Sequence, residues 1–119
     1  MHELAIAQNI LRIVEDEMGS RRLQDGLRKI HLKAGKMHAI IPESLAFNFN
    51  VIKRQSPLTE LAELIIEEIP LVIRCRSCAH QTGIDEALFL CPACGSPAID
   101  IISGQELYID SLDLKTDND

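Results

Sequence analysis

Four cysteines are the residues of this 119-residue chain with the clearest chemistry. They form two C-x-x-C pairs, Cys75 with Cys78 and Cys91 with Cys94, separated by twelve residues. Each C-x-x-C turn can present two thiolates to one ion, and two such turns complete a closed tetrahedral site. A closed sulfur site indicates a structural metal, and zinc is the expected ion. Iron in a rubredoxin-like site has the same ligand set, so that alternative stays open.

The segment 75–97 has too few apolar residues to fold by burial alone. We therefore expect the metal to supply its folding free energy, which is on the order of 10 kcal/mol for structural zinc. His80 stands two residues after Cys78. It is a candidate fifth ligand or a group that supports a ligand, although an exposed loop position is the simpler interpretation.

The amino terminus is a second candidate metal site, with the sequence Met1-His2-Glu3. The bulky second residue is expected to prevent removal of Met1. The α-amino group, the His2 imidazole and the deprotonated amides of His2 and Glu3 offer four nitrogens in a plane, a geometry that suits Ni(II) or Cu(II). The Glu3 carboxylate could instead orient His2 or supply an oxygen ligand. From residue chemistry alone, an exposed terminal histidine is the simpler interpretation.

Apolar periodicity predicts two helices. Apolar residues recur at steps of three and four over residues 3–18, which is typical of an amphipathic helix. Its predicted apolar stripe consists of Leu4, Ala7, Leu11, Val14 and Met18, widened by Ile6, Ile10 and Ile13. Pro42 suits the first turn of a second helix, whose stripe is Leu45, Phe49 and Ile52.

Strands are predicted from alternation between apolar and polar residues. Residues 27–33 alternate with Ile30 and Leu32 on the buried face, and Gly35 marks a bend. Residues 59–69 fit a helix or a strand, and periodicity does not decide between them. Two further strands are predicted at 98–102 and 106–114, and the second is expected to alternate as Leu107, Ile109 and Ser111.

These elements predict the α+β class, with two helices packed on a small mixed β-sheet and an inserted zinc-ribbon-like segment. The predicted division is a discontinuous α+β domain at 1–73 and 98–119, and a zinc-binding domain at 74–97. The inserted segment would then join the main domain through two short connections.

Composition and charge exclude several classes of function. A mass of 13.3 kDa excludes a large enzyme. No apolar run approaches the roughly 18 residues that span a bilayer. The acidic Glu3 is unlike the positively charged start of a signal peptide. A cytoplasmic protein without a membrane partner is therefore expected. The net charge is −6, which argues against nucleic-acid binding. Residues 1–55 contain nine basic and six acidic residues, whereas residues 56–119 contain three basic and twelve acidic residues. No arrangement of residues indicates catalysis.

Several motifs occur together along nearly the whole chain. They are Met1-His2-Glu3, Gly35, Pro42-Glu43-Ser44-Leu45 followed by Phe47, the two cysteine pairs with Gly95-Ser96, and Ser103-Gly104-Gln105-Glu106-Leu107. In this order they resemble the HypA/HybF family, whose members are metallochaperones that deliver nickel to [NiFe]-hydrogenase and, in some cases, to urease.

The resemblance implies a transient Ni(II) cargo at Met1, His2 and Glu3 and a structural Zn(II) at Cys75, Cys78, Cys91 and Cys94. It also implies strands at about 61–74 in place of a third helix. The implied partners are the GTPase HypB, the precursor of the hydrogenase large subunit and urease accessory proteins. In some members a histidine follows each C-x-x-C pair and links the zinc site to pH, whereas here Gly95 follows the second pair.

Two other classes of function remain. A zinc-ribbon adaptor would bind protein or nucleic acid through the cysteine segment, and the balance of Arg74 and Arg76 against Asp85 and Glu86 disfavours nucleic acid. A rubredoxin-like electron carrier would hold a coloured, redox-active iron in the same ligands.

Overall fold

The computed structural model describes residues 2–23, 26–85 and 88–115. These residues form two α-helices and six β-strands. In chain order they are α1 (Glu3–Ser20), β1 (Leu27–Gly35), α2 (Pro42–Ile52), β2 (Glu63–Ile69), β3 (Leu71–Cys75), β4 (Gln81–Ile84), β5 (Ile99–Ser103) and β6 (Leu107–Leu114). Short 3-10 turns follow β1 and α2, at Lys36–His38 and Lys53–Gln55. The predicted α+β class with two helices is confirmed.

The helices form where the apolar stripes predict them and pack against each other. The buried positions of α2 are Leu45, Phe49 and Ile52, as predicted, and Pro42 occupies the first turn. The buried apolar positions of α1 are Ala7, Ile10, Leu11, Val14 and Met18. Leu4 and Ile13 were wrongly assigned to the buried stripe, since they are 47% and 51% exposed. The helix therefore has a narrower buried face than its composition indicates.

The strands form two sheets where the sequence predicts one. The first has the order β2-β1-β6 and the second β4-β3-β5. The chain passes from the first sheet to the second at Pro70, between β2 and β3, because proline has no N–H to continue a ladder. It returns at Gly104, between β5 and β6. Periodicity identifies strands but not their partners, so the sequence did not reveal this separation.

The ambiguous segment 59–69 is a turn followed by a strand, since β2 begins at Glu63. The strands implied by the family resemblance at about 61–74 are thus confirmed as β2 and β3. The predicted alternation of β6 is wrong: Ile109 and Leu112 are half-buried, whereas Leu107 and Ser111 are exposed. An edge strand pairs with another strand on only one side. The burial of its side chains therefore depends more on the elements packed around it than on its own alternation of apolar and polar residues. Strand β4 was not predicted.

Two compact units divide the chain. The first comprises residues up to 32, 40–66 and 109 onward, and the second comprises 33–39 and 67–108. All four cysteines lie in the second unit, which is larger than the predicted zinc-binding range 74–97. The allocation of nickel and zinc binding to the predicted ranges stays a prediction, because compactness does not report metal binding.

Two glycines permit a close approach of backbones in the second unit. A Cβ on Gly35 would overlap the carbonyl group of Gly104. Gly104 has φ +111°, and a Cβ there would lie 2.7 Å from Leu71 Cα on β3. The Met37 N–H donates to the Gly104 carbonyl at 3.0 Å. Gly35, predicted to mark a bend, is therefore required at the end of β1 by steric contact.

None of the helices in the described ranges combines the length and the hydropathy needed to cross a bilayer.

Candidate metal centre

Strand β3 places the first cysteine of the site. It is the central strand of its sheet and pairs antiparallel with β4 and β5. Alternation buries Leu71, Ile73 and Cys75 on one face. Cys75 is paired with Ile99 of β5. Nearer the start of β3, a β-bulge between Val72 and Ile73 shifts the register of its pairing with β5. The apolar face of β3 thus ends in a thiol.

The two C-x-x-C turns have the same backbone geometry. In the first, the Ala79 N–H donates to the Cys75 carbonyl at 2.9 Å, and in the second the Gly95 N–H donates to the Cys91 carbonyl at 2.7 Å. Ala79 and Gly95 both have positive φ, +64° and +76°. We call residues 75–80 and 91–96 the first and second knuckles. The left-handed residue after each second cysteine turns the chain back, as glycine does readily and alanine does at a cost of about 1 kcal/mol.

The two knuckles bring the four sulfurs into one cluster. Cys75 Sγ lies 3.6 Å from Cys94 Sγ, and Cys78 Sγ lies 3.6 Å from Cys91 Sγ. All four sulfurs lie within 4.8 Å of one another. Within the described ranges, these residues are the one group of three or more His, Cys, Asp or Glu side chains close enough to share an ion.

The chemistry of these donors fits a tetrahedral dication. Zn–S bonds of about 2.3 Å place the sulfurs of a tetrahedral site about 3.8 Å apart. The closest sulfur pairs in this structure match that spacing within a few tenths of an ångström. Cys75 and Cys91 are buried while Cys78 and Cys94 are exposed, so each knuckle contributes one inner and one outer thiol.

Backbone amides favour the thiolate form of the inner cysteines. The N–H groups of Cys78 and Ser77 donate to Cys75 Sγ at 3.4 and 3.3 Å. The amide of Cys78 makes the largest contribution to lowering the pKa of Cys75, against burial, which raises it. Burial likewise raises the pKa of Cys91, but the amides of Cys94 and Ala93 outweigh burial and lower it.

The outer cysteines shift in the opposite direction. The Ser96 amide acts to lower the pKa of Cys94, but the thiol of Cys75 and burial raise it. The His80 amide acts to lower the pKa of Cys78, but the Cys91 thiol and burial raise it. Four adjacent thiols do not all ionise without a cation among them. A dication would replace the protons on the outer pair.

A polar contact links the knuckles outside the sulfur cluster. Ser77 Oγ lies 3.0 Å from Ser96 Oγ, which also accepts a hydrogen bond from the Ala98 N–H at 3.1 Å. Neither serine was assigned a role from the sequence, where Ser96 served only as part of the motif that carries the family resemblance. Their positions beside Cys78 and Gly95 carry only a weak signal, because polar residues are common in turns. The contact holds the knuckles together in addition to any metal.

His80 acts through its backbone. Its carbonyl accepts a hydrogen bond from the Cys75 N–H at 2.8 Å, and the residue is exposed. The equivalent contact in the second knuckle runs from the Cys91 N–H to the Ser96 carbonyl at 2.9 Å. Serine thus occupies the position equivalent to His80, and the backbone contact requires no imidazole.

The residues predicted to bind nickel lie at the start of α1. The Ile6 N–H donates to the His2 carbonyl at 3.0 Å, and the His2 side chain is exposed and makes no capping hydrogen bond. Glu3 is only 4% exposed. Burial raises the pKa of its carboxyl, but the hydrogen bonds it accepts, including those from the amides of Glu3 and Ile41, lower the pKa overall. Met1, the third predicted residue, lies outside the described residues.

Comparison with known proteins identifies one family over nearly the whole chain. The family model described as "Hydrogenase/urease nickel incorporation, metallochaperone, hypA" matches residues 1–114. The chain is 40% identical over 110 residues to the hydrogenase maturation factor HypA of Moorella thermoacetica, covering 92% of this chain and 96% of that protein. It is also 40% identical over 115 residues to the HypA of Desulfosudis oleivorans, covering 97% and 99% of the two chains.

Comparison of the fold with solved structures finds members of the same family. The solution structure of the Ni metallochaperone HypA from Helicobacter pylori matches with a TM-score of 0.68 at 19% identity, covering 98% of this chain and all of that one. Members of this family are metallochaperones and maturation factors rather than enzymes. With a whole-length family match and relatives 40% identical, the chain belongs to the HypA family of nickel metallochaperones for hydrogenase maturation.

Proposed function

We propose that this protein binds Ni(II) reversibly at its amino terminus and delivers it during maturation of [NiFe]-hydrogenase. The observation that carries the proposal is the separation of the two donor sets. The cysteine cluster is complete with sulfur alone and lies in the second compact unit, whereas His2 and Glu3 lie in the first. A metal ion that prefers nitrogen to sulfur therefore has a separate set of donors, at the amino terminus.

The nickel ligands in this proposal are the Met1 amine, the His2 imidazole and the amides of His2 and Glu3. Nitrogen donors in a plane suit Ni(II), whereas the four sulfurs suit zinc. The exposed imidazole of His2 supports the entry and release of an ion. The carboxylate of Glu3 is buried and accepts a hydrogen bond from the Ile41 amide, which is not a proposed nickel ligand. This supports a role of Glu3 in holding the terminus in place rather than binding nickel directly.

The zinc ligands in this proposal are Cys75, Cys78, Cys91 and Cys94. Their role is structural: when bound, the ion supplies charge balance for the thiolates and folding free energy for the knuckles. We assign zinc binding to residues 74–97 and nickel binding to 1–73 and 98–119, and we expect both to operate in the cytoplasm.

The partners in this proposal follow the family. Nickel passes toward the precursor of the hydrogenase large subunit with the help of the GTPase HypB, and urease accessory proteins are further candidates. Any GTP hydrolysis belongs to HypB, since no phosphate-binding glycine loop is present in the sequence.

Titration of zinc-loaded protein with Ni(II) tests the proposal, using calorimetry and absorption. The protein must carry a native, untagged amino terminus. We expect one nickel per chain, and no nickel binding by the His2→Ala variant, with zinc retained in both. The His80→Ala variant is a matched control, because it removes an exposed imidazole elsewhere and should leave nickel binding unchanged.

Failure has a defined meaning. If neither protein binds nickel while zinc stays in place, the terminal site is wrong and the zinc-ribbon adaptor becomes the leading interpretation. A red, redox-active protein as purified would instead show iron in the cysteine cluster.

A further inference from the structure

A groove that the proposed metal sites do not use lies in the first compact unit. Its volume is about 410 Å³, and it runs between the second half of α1 and strand β6. The helix contributes Ile13, Val14 and Met18 to its wall. Ile13 is 51% exposed although it is large and apolar. The groove therefore offers apolar surface to solvent.

The groove follows the edge of β6 rather than one of its faces. Consecutive residues of the strand, 109 to 112, all line it. Successive side chains of a strand point to opposite faces, so one face alone could contribute only every second residue. Within residues 2–23, 26–85 and 88–115, no strand pairs with the side of β6 opposite β1. The main-chain groups on that side are therefore available to another chain.

Charge around the groove favours a basic partner. Glu17 and Arg21, at the helix side, bind each other at 2.7 Å. Asp113 lies 2.9 Å from His31 Nε2. Asp110 also lines the groove and has no ion-pair partner in the described part of the chain. The groove thus has one carboxylate without a cation.

A second copy of this chain is a poor occupant. Residues 107–114 contain two aspartates and no basic residue, so a self-paired β6 would place four carboxylates on adjacent strands. Each copy also carries a net charge of −6. A strand that carries lysine or arginine avoids this repulsion.

We propose that the free edge of β6, at residues 109–114, binds an extended segment of another protein as an added β-strand. The segment alternates apolar and basic residues. Its backbone continues the ladder, an apolar side chain enters the groove against Ile13 and Met18, and a basic side chain lies beside Asp110. This interaction is independent of the proposed nickel site.

The test uses zinc-loaded, nickel-free protein and a blocked seven-residue peptide of alternating lysine and valine. Fluorescence anisotropy measures the affinity, and amide hydrogen exchange by NMR locates the contact. We expect saturable binding that slows exchange at alternate amides within 109–113, since only every second amide of an edge strand points outward. A peptide with proline in place of its central valine should bind at least tenfold more weakly.

Two variants and one control locate the interaction. Asp110→Lys should weaken binding at least tenfold by placing a cation beside the peptide lysines. Ile13→Glu, at an exposed position of α1, should weaken it by removing the apolar contact. Asp16→Lys makes the same charge change on an exposed residue that does not line the groove, and should change the affinity less than threefold.

Three results would overturn the proposal. The first is no saturable binding at millimolar peptide. The second is binding without protection of β6 amides, or with equal loss in Asp110→Lys and Asp16→Lys, which would show attraction by net charge alone. The third is concentration-dependent self-association of the protein that protects the same amides without peptide, which would make a second copy the occupant.

Discussion

The cysteine cluster and the amino terminus differ in what holds their donor atoms in place. Cys75 is fixed by the central strand of a sheet, and both knuckles are closed by backbone hydrogen bonds. His2 precedes the first helical residue, and its exposed side chain makes no capping bond. Donors held by the fold are expected to retain an ion, whereas the proposed donors at the amino terminus are expected to release it. This contrast fits the proposed division between a zinc ion that is kept and a nickel ion that is passed on.

The largest expected effect comes from breaking the cluster. Cys91→Ser removes one of four ligands, so we expect zinc content to fall from one ion per chain to none. Residues 75–97 should then unfold, because structural zinc supplies on the order of 10 kcal/mol. Zinc analysis and amide exchange measure this change, and excess chelator should reproduce it with the unaltered chain.

Ser77→Ala is the control, since it removes a hydroxyl next to Cys78 without removing a ligand. A folded, zinc-free Cys91→Ser protein would show that the knuckles do not depend on metal.

A short extension ahead of Met1 should act on the other site alone. It converts the terminal amine into an amide and removes a proposed nickel ligand. We expect nickel affinity to fall by more than the roughly 10- to 100-fold typical of losing a group that only supports a ligand. Calorimetry on matched proteins, with and without the extension, measures the change. Unchanged affinity would remove the amine from the ligand set, and altered zinc content would contradict the independence of the two sites.

Gly104→Ala should show that the fold, beyond the ligands, supports the cluster. The added Cβ would lie 2.7 Å from Leu71 Cα, on the strand that carries Cys75, at a residue with φ +111°. We expect a loss of about 2 to 3 kcal/mol in the free energy of unfolding, and faster zinc loss to chelator. Gly83→Ala is the matched control, because its Cβ would meet its nearest neighbour at 3.7 Å, an ordinary contact. Equal effects of the two substitutions would refute the steric explanation.

The smallest effect concerns the equivalence of the knuckles. Gly95→Ala places a side chain at φ +76° and should cost about 1 kcal/mol in zinc-loaded protein. Ala79→Gly at the equivalent position relieves similar strain, although the extra freedom of glycine in the unfolded chain offsets part of the gain. Chemical denaturation of both variants measures the difference. If both substitutions destabilise the protein equally, the two turns are not equivalent.

Local pattern predicted the parts of this protein whose structure depends on near neighbours in the chain. The stripe Leu45, Phe49 and Ile52 gave the buried face of α2, and Pro42 gave its start. The C-x-x-C spacing predicted that the two sulfurs of each pair lie together, because a tight turn brings residues three apart together, and the repeat of the motif predicted that the two pairs share one site. The ordered motifs predicted the family.

Tertiary structure decided what depends on residues far apart in the sequence. Pairing between strands is set by which edges meet, so the sequence did not reveal the two sheets or the role of β4. The close approach of Gly35 to Gly104, and the contact of Ser77 with Ser96, follow from where the chain returns. The exposed edge of β6 is likewise a property of the assembled sheet. The sequence determined which atoms could bind metal, and the tertiary structure decided how firmly the sulfur atoms are held, because that depends on packing and hydrogen bonds between distant segments.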